Sequence, residues 1–218
     1  MWLVVGGALV LLGLATRRSS ASGNGSAAGL PSLALPFMRY YSASWQQFHI
    51  PVPVLVAWTQ RESGFKPREY NSESDSVMLA WSCEIASKDK WRVNPDFSKV
   101  TRVCQLCQEG KFDEARPLWT FGSAGLLQVA GIPARESGGY PYGAPNSGLF
   151  DPETNIRVGS MVIAKRRERL YPGRLDLTDE EWARVRAAYV GGPGIFATKP
   201  EKAAKIAALF LETLRSYR

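Results

Sequence analysis

The most constraining feature of this sequence is a series of apolar residues that recur at helical spacing from residue 51 to the carboxyl terminus. Pro51 and Pro53 suit a helix start, because the backbone angle of proline already fits the first turn of a helix. The run from Val54 through Trp58 to about Glu62 keeps apolar residues three and four positions apart. The sequence contains no convincing set of alternating strands, so it predicts a mainly α fold with a small β element.

The later helices carry signals at their ends. Asp151 is predicted to be an N-cap with Pro152 directly after it, and basic residues accumulate towards the end of that segment, where the helix dipole favours cations. Thr178 and Glu181 have the spacing of a capping box, and the glycine pair 191–192 ends that helix. The face that the last helix is predicted to bury consists of Ile206, Leu209, Phe210 and Leu214.

The amino terminus differs in composition from the rest of the chain. Residues 2–16 carry no charge, and Arg17 and Arg18 follow them. A helix of this length spans roughly 22 Å at about 1.5 Å per residue, which is short of the roughly 30 Å hydrocarbon core of a membrane. A membrane anchor within residues 1–18 is the favoured interpretation, since arginines reach the interface and a bilayer can thin. A cleaved signal and a buried helix of the globular domain are the alternatives.

Domain organisation follows from composition. Residues 19–35 are rich in Ser, Gly and Ala and predict a flexible linker. Residues 36–218 predict one globular domain, because the length suits a single core and the chain is 45% hydrophobic and 22% charged. The net charge of +7 favours anionic partners such as cell-wall polymers or phospholipid head groups, with a basic surface that has no dedicated partner as the alternative. We expect no nucleic-acid partner.

Four short motifs follow one another along the predicted domain. They are "RESGFKP" (61–67), "GSAGLLQV" (122–129), "LFDPETNI" (149–156) and "AAYVGGPG" (187–194). Together they resemble the soluble lytic transglycosylase family, in which E-S-x-F-x-P precedes G-A-x-G-L-M-Q, a D-P-x-x-N-I helix start and A-Y-N-x-G-x-G. The resemblance implies a lysozyme-like α+β domain. It also implies cleavage of the β-1,4 bond between N-acetylmuramic acid and N-acetylglucosamine in peptidoglycan, which leaves a 1,6-anhydro end without any cofactor.

The resemblance assigns roles to single residues. Glu62 matches the catalytic glutamate of the family. The family's glutamine lines the sugar groove, and its tyrosine helps to position the catalytic carboxyl. The residues matched to substrate binding in this way are Ser63, Gly125, Leu126, Gln128 and Tyr189.

The sequence departs from the family pattern at three places. Leu127 replaces the commoner methionine, which conserves volume. Val190 stands where the family usually has asparagine, so a hydrogen bond to backbone or substrate is lost. Residues from about 70 to 120 exceed what the family core needs, and they predict an insertion able to cover or extend the groove.

The proposed acid has to stay protonated near neutral pH, although a free glutamate titrates at about 4.3. Glu62 follows the apolar run and lies where its helix ends, so burial and the negative end of the helix dipole are both expected to raise its pKa. Arg61 would oppose this effect if it faced the pocket. Neighbouring helical residues point about 100° apart, which directs Arg61 towards solvent.

Two other functions stay open. A hydrolase pairs its acid with a second carboxylate, whereas a transglycosylase uses one because the sugar's own 6-hydroxyl attacks the anomeric carbon. A muramidase that hydrolyses with water is therefore the enzymatic alternative, and a catalytically silent module that binds glycan or plays a structural part is the other. Asp151 is interpreted as a helix cap rather than a second catalytic acid. The acids of the insertion, interpreted as surface residues, are Glu73, Asp75 and Glu84.

Cys83, Cys104 and Cys107 all lie in the predicted insertion. One disulfide from Cys83 to either of the other two, three free buried thiols, and a metal at "CQLC" are the alternatives. Zinc normally needs four ligands and the only histidine, His49, is distant in sequence, so we predict no metal site. The tryptophans of this segment, interpreted as core residues with sugar stacking as the alternative, are Trp81, Trp91 and Trp119.

A lytic domain on an apolar anchor and a flexible linker suits two settings. One is a membrane-anchored enzyme that faces the bacterial cell wall. The other is a phage virion protein, in a virion membrane or entry apparatus, that opens the wall during genome entry. Both would involve envelope or virion assembly partners whose identity the sequence does not give.

Overall fold

The computed structural model describes residues 29–192 and 194–217, and this part of the chain is mostly helical, as predicted. The helices are α1 (Met38–Phe48), α2 (Val52–Ser63), α3 (Asp75–Ser87), α4 (Phe97–Gln108), α5 (Phe112–Ala115), α6 (Gly131–Glu136), α7 (Pro152–Leu170), α8 (Asp179–Gly191), α9 (Ile195–Thr198) and α10 (Pro200–Arg215). The strands are β1 (Tyr70–Asn71), β2 (Ser123–Ala124) and β3 (Val129–Ala130). Short 3-10 helices cover Ser32–Phe37, Asp89–Trp91, Arg116–Leu118 and Asn146–Phe150.

Helix α2 lies in the middle of the main core. Its residues from Val54 to Trp58 are fully buried, and it packs against α1 and α10. A helix that is apolar on all sides is stable only when other elements surround it. The helix ends at Gly64, whose left-handed φ of 58° suits a residue without a side chain. The predicted helix is therefore confirmed, and Glu62 lies in its last turn.

The predicted helix ends of α7 and α8 are confirmed. The Asp151 carboxylate accepts a hydrogen bond from the Thr154 backbone N–H at 2.8 Å. Thr178 and Glu181 form a reciprocal capping box at the start of α8, which ends at Gly191.

The buried face of α10 differs in part from the prediction. Phe210 and Leu214 are buried as expected, but Leu209 is 37% exposed and Ala203 is buried instead. Helix α10 packs on α8 and α2, and its buried face contains fewer large apolar residues than the four predicted.

A small antiparallel sheet orders its strands as β1-β2-β3. Tyr70 pairs with Ala124, and Ala124 pairs in turn with Val129. The segment between β2 and β3 contains residues 125–128, so the second sequence motif forms the turn of a hairpin. This hairpin brings the motif next to the carboxyl-terminal end of α2, where Ser63 donates a hydrogen bond to the Leu126 carbonyl at 2.9 Å.

The segment predicted as an insertion forms α3 and α4 and a second buried cluster. A disulfide joins Cys83 on α3 to Cys104 on α4, while Cys107 is a buried free thiol. Trp91 is fully buried and Trp119 is 3% exposed, so both are core residues as predicted. Among residues 29–192 and 194–217, no group of His, Cys, Asp and Glu is arranged to hold a metal ion.

The first residues of the described chain already belong to the folded domain. Ala34 is fully buried and packs in the main core, two residues before the predicted domain start at 36. None of the described helices is both long and apolar enough to cross a membrane. The predicted anchor at 1–18 lies outside the described residues.

Candidate active site

A groove of about 420 Å³ runs across the surface next to the end of α2. Its lining comes from the end of α2, from the sheet with α3, from α6, from the carboxyl-terminal half of α7 and from the end of α8. The polar and aromatic lining residues are Glu62, Asn71, Glu73, Trp81, Ser123, Gln128, Arg166 and Tyr189. A cleft of this size is in the usual range for a binding site that holds a small part of a polymer.

Glu62 lies in this groove on an aromatic support. Trp58 is one helical turn before Glu62, so the two side chains share a face of α2. Trp58 is fully buried, and the edge of its ring meets Tyr189 with 5.3 Å between the ring centroids. The Glu62 side chain is only 15% exposed, because it lies in the last turn of a buried helix. It is nevertheless part of the groove lining.

Arg186 on α8 makes the ion pair with Glu62. The Arg186 guanidinium donates a hydrogen bond to Glu62 Oε1 at 2.6 Å, and its own side chain is 7% exposed. The guanidinium also lies 5.4 Å from the centre of the Trp58 ring. Within the described chain no donor reaches the other carboxyl oxygen, Oε2. The carboxyl therefore has one oxygen held by the protein and one available to a ligand.

Opposing effects act on the pKa of Glu62. Burial raises the pKa of its carboxyl above the ordinary value, and this is the largest effect. The positive charge and the hydrogen bond of Arg186 work in the opposite direction, and the nearby Glu73 carboxylate adds a smaller increase. The direction agrees with the prediction for a general acid. Arg61 is exposed, as predicted, and the cation beside Glu62 is Arg186.

Gly125 allows the hairpin turn to lie against α7. Its φ is +75°, and a Cβ there would come within 2.3 Å of the Asn155 amide nitrogen and 2.5 Å of the Leu149 carbonyl oxygen. Asn155 is fully buried and accepts from the Leu127 N–H while donating to the Ala124 and Leu149 carbonyls at 2.7 to 2.8 Å. One buried amide therefore fixes both ends of the turn.

Gln128 joins the turn to the rest of the groove. Its amide nitrogen donates to the carbonyls of Glu69 and Gly125, and its amide oxygen accepts from the Asn71 side chain at 2.7 Å. Gln128 is 5% exposed and has a φ of +46°, which is uncommon for a residue with a side chain. The glutamine lines the groove, as predicted, but most of its hydrogen-bonding capacity is used by the protein.

Three of the residues predicted to bind substrate lie behind the groove rather than along it. Leu126 is fully buried, Gly125 faces Asn155, and Ser63 donates to the Leu126 carbonyl, so each supports the turn. Tyr189 does line the groove. Its hydroxyl donates to the Leu127 carbonyl at 2.9 Å, and the hydrogen bond to the Glu62 carboxyl comes from Arg186.

Val190, the departure from the family pattern, stands at the rim of the groove with 45% of its surface exposed. Of the tryptophans in the insertion, Trp81 also lines the groove, whereas Trp91 and Trp119 do not. Trp81 also packs against the second buried cluster, and stacking of its ring on a sugar stays a prediction.

Of the three acids in the predicted insertion, one lines the groove and two form ion pairs with basic side chains. Glu73 lines the groove and accepts a hydrogen bond from Ser123 at 2.8 Å. Asp75 pairs with Arg116, and Glu84 pairs with Lys88 at 2.5 Å.

Sequence reasoning missed Arg186, Asn155 and Asn71. Arg186 is 124 residues from Glu62 and looks like an ordinary polar position of α8. Asn155 is the asparagine of the third motif, and its place in that motif was the available signal. Asn71 carried no signal, because it belongs to a two-residue strand.

Comparison with known protein families matches residues 39–208 to the Transglycosylase SLT domain. Comparisons with curated proteins and with solved structures gave no match. The matched range includes α2, α3, the sheet with its hairpin turn, α6, α7 and α8, and hence every element that lines the groove. Because this range covers more than half of the chain, the protein belongs to the Transglycosylase SLT domain family, a family of lytic transglycosylases that act on peptidoglycan.

Proposed function

We propose that this protein is a peptidoglycan lytic transglycosylase in which Glu62 acts first as a general acid and then as a general base. The observation that carries the proposal is the environment of Glu62. Its carboxyl is largely buried beside Trp58 and Tyr189, has one oxygen held by Arg186, and opens on a groove in a domain of this family.

The first step is protonation of the leaving oxygen. Burial raises the pKa of Glu62, which favours the protonated carboxyl before reaction. Because Arg186 occupies Oε1, the proton is carried by Oε2, the oxygen without a donor in the described chain. Transfer of this proton to the glycosidic oxygen lets the bond from that oxygen to the anomeric carbon break. The carboxylate that results is stabilised by the Arg186 guanidinium at 2.6 Å.

The second step closes the anhydro ring. The 6-hydroxyl of the same muramic acid attacks its anomeric carbon, and the Glu62 carboxylate takes the hydroxyl proton. One bond to oxygen has been replaced by another, no water is consumed, and Glu62 is protonated again. A single carboxyl is sufficient for this sequence of steps, whereas hydrolysis needs a second group to activate or replace water.

Glu73 is the observation that favours the second candidate, a muramidase. This acid lines the same groove and is close enough to raise the pKa of Glu62. In a hydrolytic mechanism Glu73 would activate a water molecule while Glu62 protonates the leaving group. The transglycosylase remains the preferred function because it agrees with the family.

The reaction products separate the two candidates. Purified peptidoglycan is digested with the protein, and the new sugar ends are measured by mass spectrometry before and after borohydride reduction. A transglycosylase gives ends that lack one water and resist reduction, and Glu73→Gln retains them. Exclusively reducible ends would reject the transglycosylase, and no new ends of either kind would favour the silent module.

We also propose that the protein works at a membrane facing the bacterial cell wall, either in the cell envelope or as part of a phage particle. The uncharged run at 2–16 and the composition of residues 19–28, which are rich in Ser, Gly and Ala, support this proposal. Fractionation of the full chain, and of a chain that starts at residue 29, tests it. Recovery of only the full chain with membranes is expected, and finding the protein in purified phage particles would select the virion setting. A full chain that stays out of the membrane fraction would refute the anchor.

A further inference from the structure

Arg166 differs from the other shielded arginines of the described chain. The arginines that the structure buries most completely are Arg135, Arg167 and Arg186. Each of these donates hydrogen bonds to oxygen atoms of the protein. Arg166 is half-buried, its Nε is shielded from solvent, and in residues 29–192 and 194–217 neither a hydrogen bond nor an ion pair satisfies its guanidinium.

The position of Arg166 directs it to the groove. It lies on α7 one helical turn after Val162, and both residues belong to the groove lining together with Tyr189 and Val190. A guanidinium has five N–H donors and no acceptor, so the ligand that satisfies it best is an anion with two oxygen atoms. Leaving such a group partly desolvated and unpaired costs free energy, which a bound carboxylate would recover.

The charges of the groove are arranged around Glu62. Arg186 already donates a hydrogen bond to Glu62 Oε1, so its guanidinium is engaged within the protein whether or not Glu62 carries a proton. Glu73 lies with the sheet residues of the lining, next to Ser123, whereas Arg166 lies with the α7 and α8 residues. An anionic ligand is therefore attracted to the α7–α8 part of the groove and repelled from the part that holds Glu73.

We propose that Arg166 is a carboxylate-binding subsite for the acidic substituent of the glycan strand. This inference rests on the proposed function, since it takes peptidoglycan as the substrate. Each muramic acid carries a lactyl group on its 3-hydroxyl. The carboxyl of that group is either free or joined to a peptide that has carboxylates of its own, so the shared chemistry of both sources is a carboxylate beside the sugar ring.

The subsite makes the groove distinguish the two sugars of the strand. N-acetylglucosamine has no acidic substituent, so only a muramic acid is able to satisfy Arg166. Binding in the register that places this carboxylate on Arg166 selects which glycosidic bond lies next to Glu62. Arg166 is in this sense a specificity-determining residue, and it takes no part in proton transfer.

The test is binding of three oligosaccharides of equal length to the full chain carrying Glu62→Gln, which prevents turnover. One is an uncharged N-acetylglucosamine oligomer, one is a peptide-free glycan with free lactyl carboxylates, and one is the glycan with its peptides attached. The same chain with Arg166→Gln is expected to lose about tenfold in affinity for at least one anionic glycan, since a hydrogen bond to a charged group is worth about 1.5 kcal/mol. Affinity for the uncharged oligomer is expected to change less than twofold.

Lys165 supplies the matched control. It is an exposed residue of the same helix that does not line the groove, and Lys165→Gln changes the net charge by the same amount. This control is expected to change all three affinities less than twofold, and Arg166→Lys is expected to retain part of the binding to the anionic glycans. Thermal unfolding of each variant shows whether the fold is intact.

Each result decides the proposal. A loss limited to the peptide-free glycan identifies the lactyl carboxylate as the ligand, and a loss limited to the peptide-bearing glycan identifies the peptide. Equal losses for all three oligosaccharides, no loss for any, or no binding of any glycan would overturn the subsite. Charge-selective binding by a wild-type chain that forms no anhydro ends would overturn the proposed function alone.

Discussion

Replacing Arg186 by methionine tests the arrangement around Glu62. The substitution keeps the length of the side chain and removes both the charge and the hydrogen bond to Oε1 at 2.6 Å. The side chains of the pair are 7% and 15% exposed, so solvent compensates little for the loss. Removing one partner of a buried ion pair costs about 3 kcal/mol, which corresponds to a fall in Tm of roughly 6–12 °C for a domain of this size.

The pH dependence gives the sharper result. In the wild type, burial raises the pKa of Glu62 and Arg186 limits the increase. Without Arg186 the pKa of Glu62 rises further, so Glu62 keeps its proton to a higher pH. The alkaline limb of the activity profile, where the general acid loses its proton, is therefore expected to move to higher pH in Arg186→Met. Arg186→Lys is expected to return the limb towards that of the wild type.

The loss of stability in Arg186→Met is also expected to depend on pH. A Glu62 carboxyl with a raised pKa is uncharged at acid pH, and there it does not need Arg186. The destabilisation of Arg186→Met is therefore expected to be largest at pH values above the pKa of Glu62, and to shrink as the pH falls through that pKa. Urea unfolding at several pH values measures this.

Arg184 provides the control for these measurements, because it is an exposed arginine two residues earlier on α8. Arg184→Met is expected to change stability by less than about 0.5 kcal/mol, with no change in the pH profile. The reasoning would be refuted if Arg186→Met left the alkaline limb in place or moved it to lower pH, or if its destabilisation did not depend on pH.

Three further substitutions test the supports of the groove. Tyr189→Phe removes a hydrogen bond to a backbone carbonyl and is expected to lower the free energy of urea unfolding by about 1 kcal/mol, with less than tenfold loss of activity. A hundredfold loss of activity at unchanged stability would show that the hydroxyl takes part in the reaction. Gly125→Ala is expected to lower the free energy of unfolding by about 3 kcal/mol, because the new Cβ would overlap Asn155. Gly138→Ala is the control, with a similar φ of +76° and nothing within 4 Å, and it is expected to lower the free energy of unfolding by about 1 kcal/mol. Equal losses would contradict the close packing of the turn. Cys83→Ser opens the disulfide and is expected to destabilise the protein by about 3 kcal/mol, and an unchanged Tm of the non-reduced protein would argue against this bond.

Local signals made much of the fold predictable. The ends of α2, α7 and α8 follow from proline, aspartate, the capping box and glycine, all of which act within a few residues of where they stand. The exposure of Leu209 was not predictable, because it depends on which neighbours α10 meets. The pairing of Cys83 with Cys104 rather than Cys107 likewise depends on how α3 packs on α4.

The site was predictable where the motifs name its residues and unpredictable where distant elements meet. Glu62, Gln128 and Tyr189 all line one groove although up to 127 residues separate them. The hydrogen bonds of Gln128 and Tyr189 to the hairpin, and the pair between Arg186 and Glu62, depend on side-chain directions that no sequence spacing encodes. These contacts show that Gln128 and Tyr189 support the hairpin as well as line the groove, and that the cation beside Glu62 is Arg186.

The most direct test of the central claim is the rate at which new anhydro ends form in purified peptidoglycan treated with wild type and with Glu62→Gln. The amide keeps an oxygen for Arg186, so the variant is expected to fold and bind glycan. It cannot donate a proton as the carboxyl does, and a loss of at least about a hundredfold is expected from removing a general acid. Anhydro ends from the wild type and a folded variant that forms almost none would agree with the account. Anhydro ends formed at an undiminished rate by Glu62→Gln would contradict it.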